Sequence, residues 1–325
     1  MHGNWLSMYL NVINSFHELG YEIYKSDYIE IPDLPPFVNE GIPEDSSEFV
    51  YVYNHTTKQK TKNTNFHVGK KALFIKPTGP TPDYYTIDEE GYACTSSITY
   101  SKPTFEDIDS TEFFNTTVKD IIKNKNHKWS DRADLRFEDK SIIVPENHIL
   151  VIGQMPGDET VTEMSFGDHW RKLEAIVQEL TNQKLPVVIK LHPTLERESS
   201  KPNDEGITTW DYYYSKVLEW QSKGITVFYG FESLHDILPY SSVAIVENST
   251  AGIDCMLHDV PLISYGYPEY HWVTFDLRHI TQLQKAVDDL SWYSKERSRS
   301  WLTWYCTQYQ CFNFTSTLNR IKDLL

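Results

Sequence analysis

Near the start of the chain, apolar residues recur every three or four positions: Trp5, Met8, Tyr9, Val12, Ile13, Phe16 and Leu19. That spacing predicts an amphipathic helix, capped by Asn4 and ended by Gly20. The runs 21–24, 49–53 and 72–75 read as short strands, rich in Tyr, Val, Ile and Phe. Between them, 31–47 carries Pro32, Pro35, Pro36 and Pro43 and reads as a surface loop. The segments 58–71 and 104–142 are polar and without a period.

From about 148 the pattern changes. Short β-branched runs appear at 148–152, 186–191, 225–228, 243–246 and 261–265. Trp170, Leu173, Ile176, Val177 and Leu180 stand at helical spacing between the first two. Apolar runs of this length alternating with helices predict a parallel sheet covered on both faces, a Rossmann-like domain. The tail 314–325 places Leu318, Ile321, Leu324 and Leu325 on one helical face and reads as a closing helix.

A length of 325 residues suits two domains. The change of pattern divides them into 1–145 and 146–310, with 311–325 as the closing helix. Nine Trp, 21 Tyr and 15 Phe supply enough ring surface for a packed core, which excludes a disordered chain. The formal charge of −16 opposes binding to a phosphate backbone or an acidic lipid surface. The five lysines of 58–71 form the one candidate basic patch. No apolar run approaches the roughly 20 residues of a membrane span. The N-terminus lacks the pattern of a secretory leader, so a cytoplasmic protein is expected. Cys94, Cys255, Cys306 and Cys311 are scattered without a Cys-x-x-Cys pair and are expected to be reduced thiols.

Ligands of parallel α/β sheets bind beyond the carboxyl ends of the strands. Three polar clusters fall there: Gly153-Gln154-Met155-Pro156-Gly157-Asp158-Glu159-Thr160, His192-Pro193, and Glu247-Asn248-Ser249-Thr250-Ala251-Gly252. Ser249 and Thr250, where a strand turns into a helix, offer donors suited to a phosphate, or else Ser249 is simply a helix cap. His192 can donate to a phosphate oxygen, or His192-Pro193 merely ends a strand. Glu247 can accept from ribose hydroxyls, or it is a carboxylate at a helix start.

In order and spacing, GQMPGDETV, IKLHP and ENSTAGIDCMLHDVPLISYG resemble the capsular-polysaccharide glycosyltransferases related to bacterial Kdo transferases. The resemblance covers about 148–270. It implies the α/β GT-B architecture, two Rossmann-like domains facing a cleft, with the acceptor-side domain at 1–145 and the nucleotide-sugar domain at 146–310. The nucleotide-sugar, a CMP-Kdo-like one in the family, is then a co-substrate held by Gly153, Gln154, Asp158, His192, Pro193, Glu247, Asn248, Ser249 and Thr250. No cofactor and no metal is required on that reading. Asp107-Ile108-Asp109 has the letters of a metal-binding triplet, but no apolar strand precedes it.

The segment 73–97 resembles the family's stretch in which an acidic-Gly turn precedes aromatic residues, with Lys76-Pro77-Thr78-Gly79 in place of the acidic turn. The family's inverting transfer implies a carboxylate base in this half, for which Asp83 and Asp88 are the candidates. The plain alternative makes both turn residues beside Pro82 and Gly91. The expected reaction moves a sugar to a glycan hydroxyl, with His192 stabilising the departing phosphate. Three other readings share the fold: a transferase acting on a modified DNA base, a nucleotide- or glycan-binding protein without turnover, and a nucleotide-sugar epimerase.

Overall fold

The computed structural model describes residues 3–25, 34–41, 49–54, 56, 58, 71–128, 130, 142–162, 165, 167–201 and 208–325. Most of the lysine-rich 58–71 segment lies outside them. The chain forms two units: Met1–Pro103 with Asn126–Arg132 and Thr303–Leu325, and Thr104–Lys125 with Ala133–Leu302.

In the first unit, β1 (Ile23–Lys25) pairs in parallel with β2 (Val38–Glu40). A second sheet joins β3 (Tyr51–Asn54), β4 (Ala72–Pro77) and β5 (Tyr85–Asp88), with β3/β4 parallel and β4/β5 antiparallel. The opening helix, Gly3–Glu18, buries Met8, Val12 and Phe16 against Leu73, Ile75, Ile87 and Ile321. Ile321 belongs to the closing helix Phe314–Leu324, whose cap Asn313 accepts from the Ser316 N–H at 2.9 Å. Just before that helix, Cys311 and Tyr85 exchange backbone hydrogen bonds of 2.8 and 2.9 Å. These contacts assign the C-terminal segment to the first unit.

The second unit is built on six strands: β6 (His148–Ile152), β7 (Val187–Lys190), β8 (Thr226–Phe228), β9 (Ser241–Val246), β10 (Leu262–Ser264) and β11 (Phe275–Asp276). Their order is β11-β10-β9-β6-β7-β8, and every pair is parallel. All five residues of β6 are buried, as a central strand covered on both faces requires. The helix His169–Asn182 turns Trp170, Leu173, Ile176, Val177 and Leu180 inward, and Asp168 caps it by accepting from the Arg171 N–H at 2.8 Å. Those side chains share one core with Val151, Ile189, Val243 and Ile245 of the sheet.

The boundary between the units differs from the one expected at 145/146. The segment Thr104–Lys125 groups with the second unit because its contacts lie there. Ser300 Oγ donates to Ile108 O at 2.9 Å, and Arg297 and Arg299 stack on Phe105 and Phe114. Lys125 pairs with Asp236 at 3.0 Å. Local pattern does not report such long-range anchoring. Likewise 303–310, expected in the second domain, belongs to the first, where the Tyr309 hydroxyl donates to Asp88 at 2.8 Å. Among the described residues no helix is long and apolar enough to cross a membrane. The four cysteines are buried free thiols.

Candidate active site

The strand order places β6 at the centre. The chain runs outward through β7 and β8, then returns to β9 on the other side of β6 and continues to β10 and β11. Connections leaving the carboxyl ends of β6 and β9 therefore diverge, and a crevice opens between them. The turn after β6 carries Gly153 and Gln154, and the turn after β9 carries Glu247 to Thr250. One strand over, β7 leads into Leu191, His192 and Pro193.

The first and third clusters are joined directly. Gln154 Nε2 donates to Thr160 Oγ1 at 2.7 Å, and Asn248 Nδ2 donates to Thr160 O at 2.7 Å. Asp158 Oδ1 accepts from the N–H and hydroxyl of Thr160 at 2.8 and 2.5 Å. Asp158 thus closes the turn in front of the short helix Glu159–Thr162. Gln154, Asp158, Asn248 and Glu247 form one network, because the Gln154 N–H also donates to His169 Nε2 at 3.0 Å and His169 Nδ1 bonds Glu247.

Glu247 is completely buried, and both of its oxygens are engaged: Oε2 by His169, Oε1 by Ser165 and Lys172. Burial by itself pushes the carboxyl pKa up, but the bonds from His169, Lys172 and Ser165 outweigh it, and the net shift is downward. In this geometry Glu247 ties the crevice walls together and does not present an oxygen to a ribose. Gly266 passes so close that a Cβ there would meet Glu247 O at 2.8 Å.

Ser249 serves its own turn: its Oγ accepts from the Ala251 N–H at 3.2 Å, and its carbonyl accepts from the Gly252 N–H at 3.0 Å and from the Tyr270 hydroxyl. Thr250 precedes the helix Ala251–Leu257, and its side chain makes no capping bond to it. At Gly252 a Cβ would lie 2.3 Å from the Tyr270 ring, so only glycine admits that ring. His192 is half-buried, and its Nδ1 faces the Thr194 hydroxyl at 2.9 Å and the Thr194 N–H at 3.3 Å. A backbone N–H can only donate, which makes Nε2 the protonated nitrogen and gives His192 a donor.

The two acidic candidates lie in the first unit and differ sharply. Asp83 is exposed on the loop joining β4 to β5. Asp88 is completely buried and accepts from the backbone N–H groups of Glu90, Gly91 and Ser97, the Ser97 hydroxyl and the Tyr309 hydroxyl. A carboxylate with both oxygens committed in this way clamps the 88–97 turn and is not placed to take a proton from a substrate. Asp83 is the remaining carboxylate of the pair.

Residues outside the three clusters complete the site: His169, Lys172, Ser165 and Tyr265. Lys172 Nζ, a quarter exposed, donates to Ser165 Oγ at 3.0 Å and to Glu247, and lies 5.9 Å from the centre of the Tyr265 ring. Lys190, at the end of β7, is almost completely buried and donates to Leu191 O at 2.9 Å and Gly230 O at 2.8 Å. Burial pulls its amine down to about 8 despite the nearby Glu232. One of these residues left a signal in the sequence. His169 falls in phase with Leu173, Ile176 and Leu180, and a polar residue on a buried stripe needs a partner.

No family model matches the chain, and no curated protein matches it. Solved structures do. Thermosulfurimonas dismutans KpsC, beta Kdo 2,7 transferase, is 13% identical, with a TM-score of 0.54 over 94% of this chain and 99% of that one. KpsC, beta Kdo 2,4 transferase, from the same organism is 15% identical, with a TM-score of 0.52 over 81% and 82%. The fold is of the GT-B type. Identities this low speak to architecture and not to activity. Within the GT-B fold of this chain, the first turn at the β6/β9 switch point carries an orphan acceptor. Gln154 Oε1 is buried and has no partner among the described residues. A ligand hydroxyl or N–H is what such an atom accepts from.

Proposed function

We propose that the chain is a glycosyltransferase that binds a nucleotide-sugar in the crevice at the carboxyl ends of β6, β7 and β9 and passes the sugar to a glycan hydroxyl. The observation that carries this reading is the convergence of the Gly153-Gln154 and Glu247-Asn248 turns at the topological switch point of a GT-B-type sheet, with an unsatisfied acceptor on the first.

In the proposed reaction the acceptor oxygen attacks the anomeric carbon as the bond from that carbon to the phosphate oxygen breaks. The hydroxyl proton passes to Asp83. The electron pair of the broken bond leaves on the nucleotide phosphate, where His192 Nε2–H donates to it and the hydroxyls of Ser249 and Thr250 hold it. Attack opposite the leaving group inverts the anomeric centre. The chemistry needs only side-chain donors and a carboxylate, so neither a cofactor nor a metal is part of the proposal. That both structural relatives are Kdo transferases supports a Kdo-type sugar, and the resemblance of the sequence motifs supports its CMP-linked form as donor and a capsule-type glycan as acceptor.

A thermal-shift panel of CMP, UDP and GDP tests the donor site. A nucleotide present at about 100 times its Kd adds about 2.7 kcal/mol of stability and raises the melting temperature. If none of the three shifts the transition at millimolar concentration, the crevice is not a nucleotide site. Transfer from the matching sugar nucleotide to a glycan acceptor then separates an enzyme from a binding protein.

A further inference from the structure

One line of hydrogen bonds crosses the switch point from the end of β6 to the end of β9. The Gln154 N–H donates to His169 Nε2 at 3.0 Å, His169 Nδ1 bonds Glu247, and Lys172 and Ser165 close on the other carboxylate oxygen. Its central members are buried, at 8%, 2% and 0% exposure for Gln154, His169 and Glu247. Because the Gln154 N–H can only donate, Nε2 is the unprotonated nitrogen, and the ring proton sits on Nδ1, facing the carboxylate. The imidazole is thus a spacer of defined tautomer between two strand ends. What it spaces is the turn that carries the orphan Gln154 Oε1.

We propose that His169 is the positioning residue of this site: as its Nδ1–H tautomer it holds the Gly153-Gln154 turn in register with Glu247. The proposal rests on the crevice being a nucleotide site. The charged groups facing the ring are Glu247 and, through it, Lys172 on the same helix. Asp168, adjacent in the chain, is turned to the Arg171 N–H. His169 touches no substrate; it acts through Gln154.

Two substitutions divide the ring's roles. The amide of glutamine reaches the place of Nε2, so His169→Gln keeps an acceptor for the Gln154 N–H. The shorter amide of asparagine reaches the place of Nδ1, so His169→Asn keeps a donor for Glu247 and abandons Gln154. With CMP, UDP and GDP as probes, His169→Asn weakens binding about tenfold at about pH 8, the worth of one buried hydrogen bond, whereas His169→Gln stays within about threefold of wild type.

Imidazole nitrogen NMR of the unliganded wild type is the independent arm: it is expected to show His169 with a protonated Nδ1 and a bare Nε2. Wild-type affinity in His169→Asn, a loss in His169→Gln as large as that in His169→Asn, or a ring proton on Nε2 would each overturn the proposal. Should the variants fail to fold, the wild-type spectrum decides. Failure of every nucleotide to bind the wild type sinks the donor-site reading, and the NMR result then stands alone for or against the tautomer.

Discussion

Replacing Glu247 by Gln probes the buried network with almost no change of shape. The amide oxygen can still accept from Ser165, but the amide nitrogen now stands where Oε2 accepted from His169. Donor then faces donor. His169 can move its proton to Nε2, but it then confronts the Gln154 N–H instead. Either arrangement leaves one buried donor without an acceptor, which costs about 1–3 kcal/mol, and removes a charge-assisted bond worth about 1.5–3 kcal/mol. The Lys172 ammonium loses its counter-charge as well, but it is a quarter exposed, so solvent screens most of that loss. The expected destabilisation near neutral pH is about 3–5 kcal/mol, the range found when a buried ionic pair is broken from one side. Urea unfolding of the wild type and Glu247→Gln, followed by tryptophan fluorescence over a range of pH, measures it. The sign of the pH dependence follows from the lowered carboxyl pKa. A group depressed in the folded state stabilises above its unfolded pKa, and that contribution is lost as pH falls through the folded value. The gap between the two proteins should therefore be widest near neutrality and close in acid. A difference under about 1 kcal/mol near neutral pH, or a gap that persists undiminished in acid, would refute the assignment of Glu247 as an ionised tie.

Three further outcomes are expected. His192→Ala lowers turnover by about a hundredfold or more and weakens nucleotide binding, whereas Asp83→Asn lowers turnover with nucleotide affinity nearly unchanged; steady-state kinetics beside calorimetry separates them, and full activity in Asp83→Asn means the base lies elsewhere. Lys190→Met tests the depressed amine: with a folded pKa of about 8, the unfolded chain binds more protons between there and the ordinary lysine value, so the wild type gains stability relative to the variant as pH rises through that window. Parallel stability curves for the two proteins over that range would contradict it. Gly252→Ala drives a methyl to 2.3 Å from the Tyr270 ring and costs about 1–3 kcal/mol or more, visible as a lowered melting temperature; an unchanged melting temperature would mean the ring can withdraw freely.

Local periodicity and strand chemistry carried much of the architecture. The run 148–152 and the helical stripe through Leu173 and Ile176 lie where the pattern placed them, because a central strand and a packed helix satisfy their own backbones and show their burial residue by residue. The turn glycines and polar clusters after β6, β7 and β9 were legible for the same reason, since a strand end is visible from the strand alone. Only tertiary structure decided which strand neighbours which, and so that the first and third clusters face one crevice while Asp88 is spent on Tyr309, far away in sequence. It also decided that Glu247 is an interior tie and not a ribose contact, through His169 and Lys172, which the strand-end pattern does not mark. The grouping of Thr104–Lys125 with the second unit was hidden in the same way, because its anchors on Arg297, Arg299 and Ser300 come from the far end of the chain. Periodicity records whether a side chain is buried, whereas the partner that makes burial of a polar or charged group tolerable comes from distant sequence and is fixed only when the chain folds.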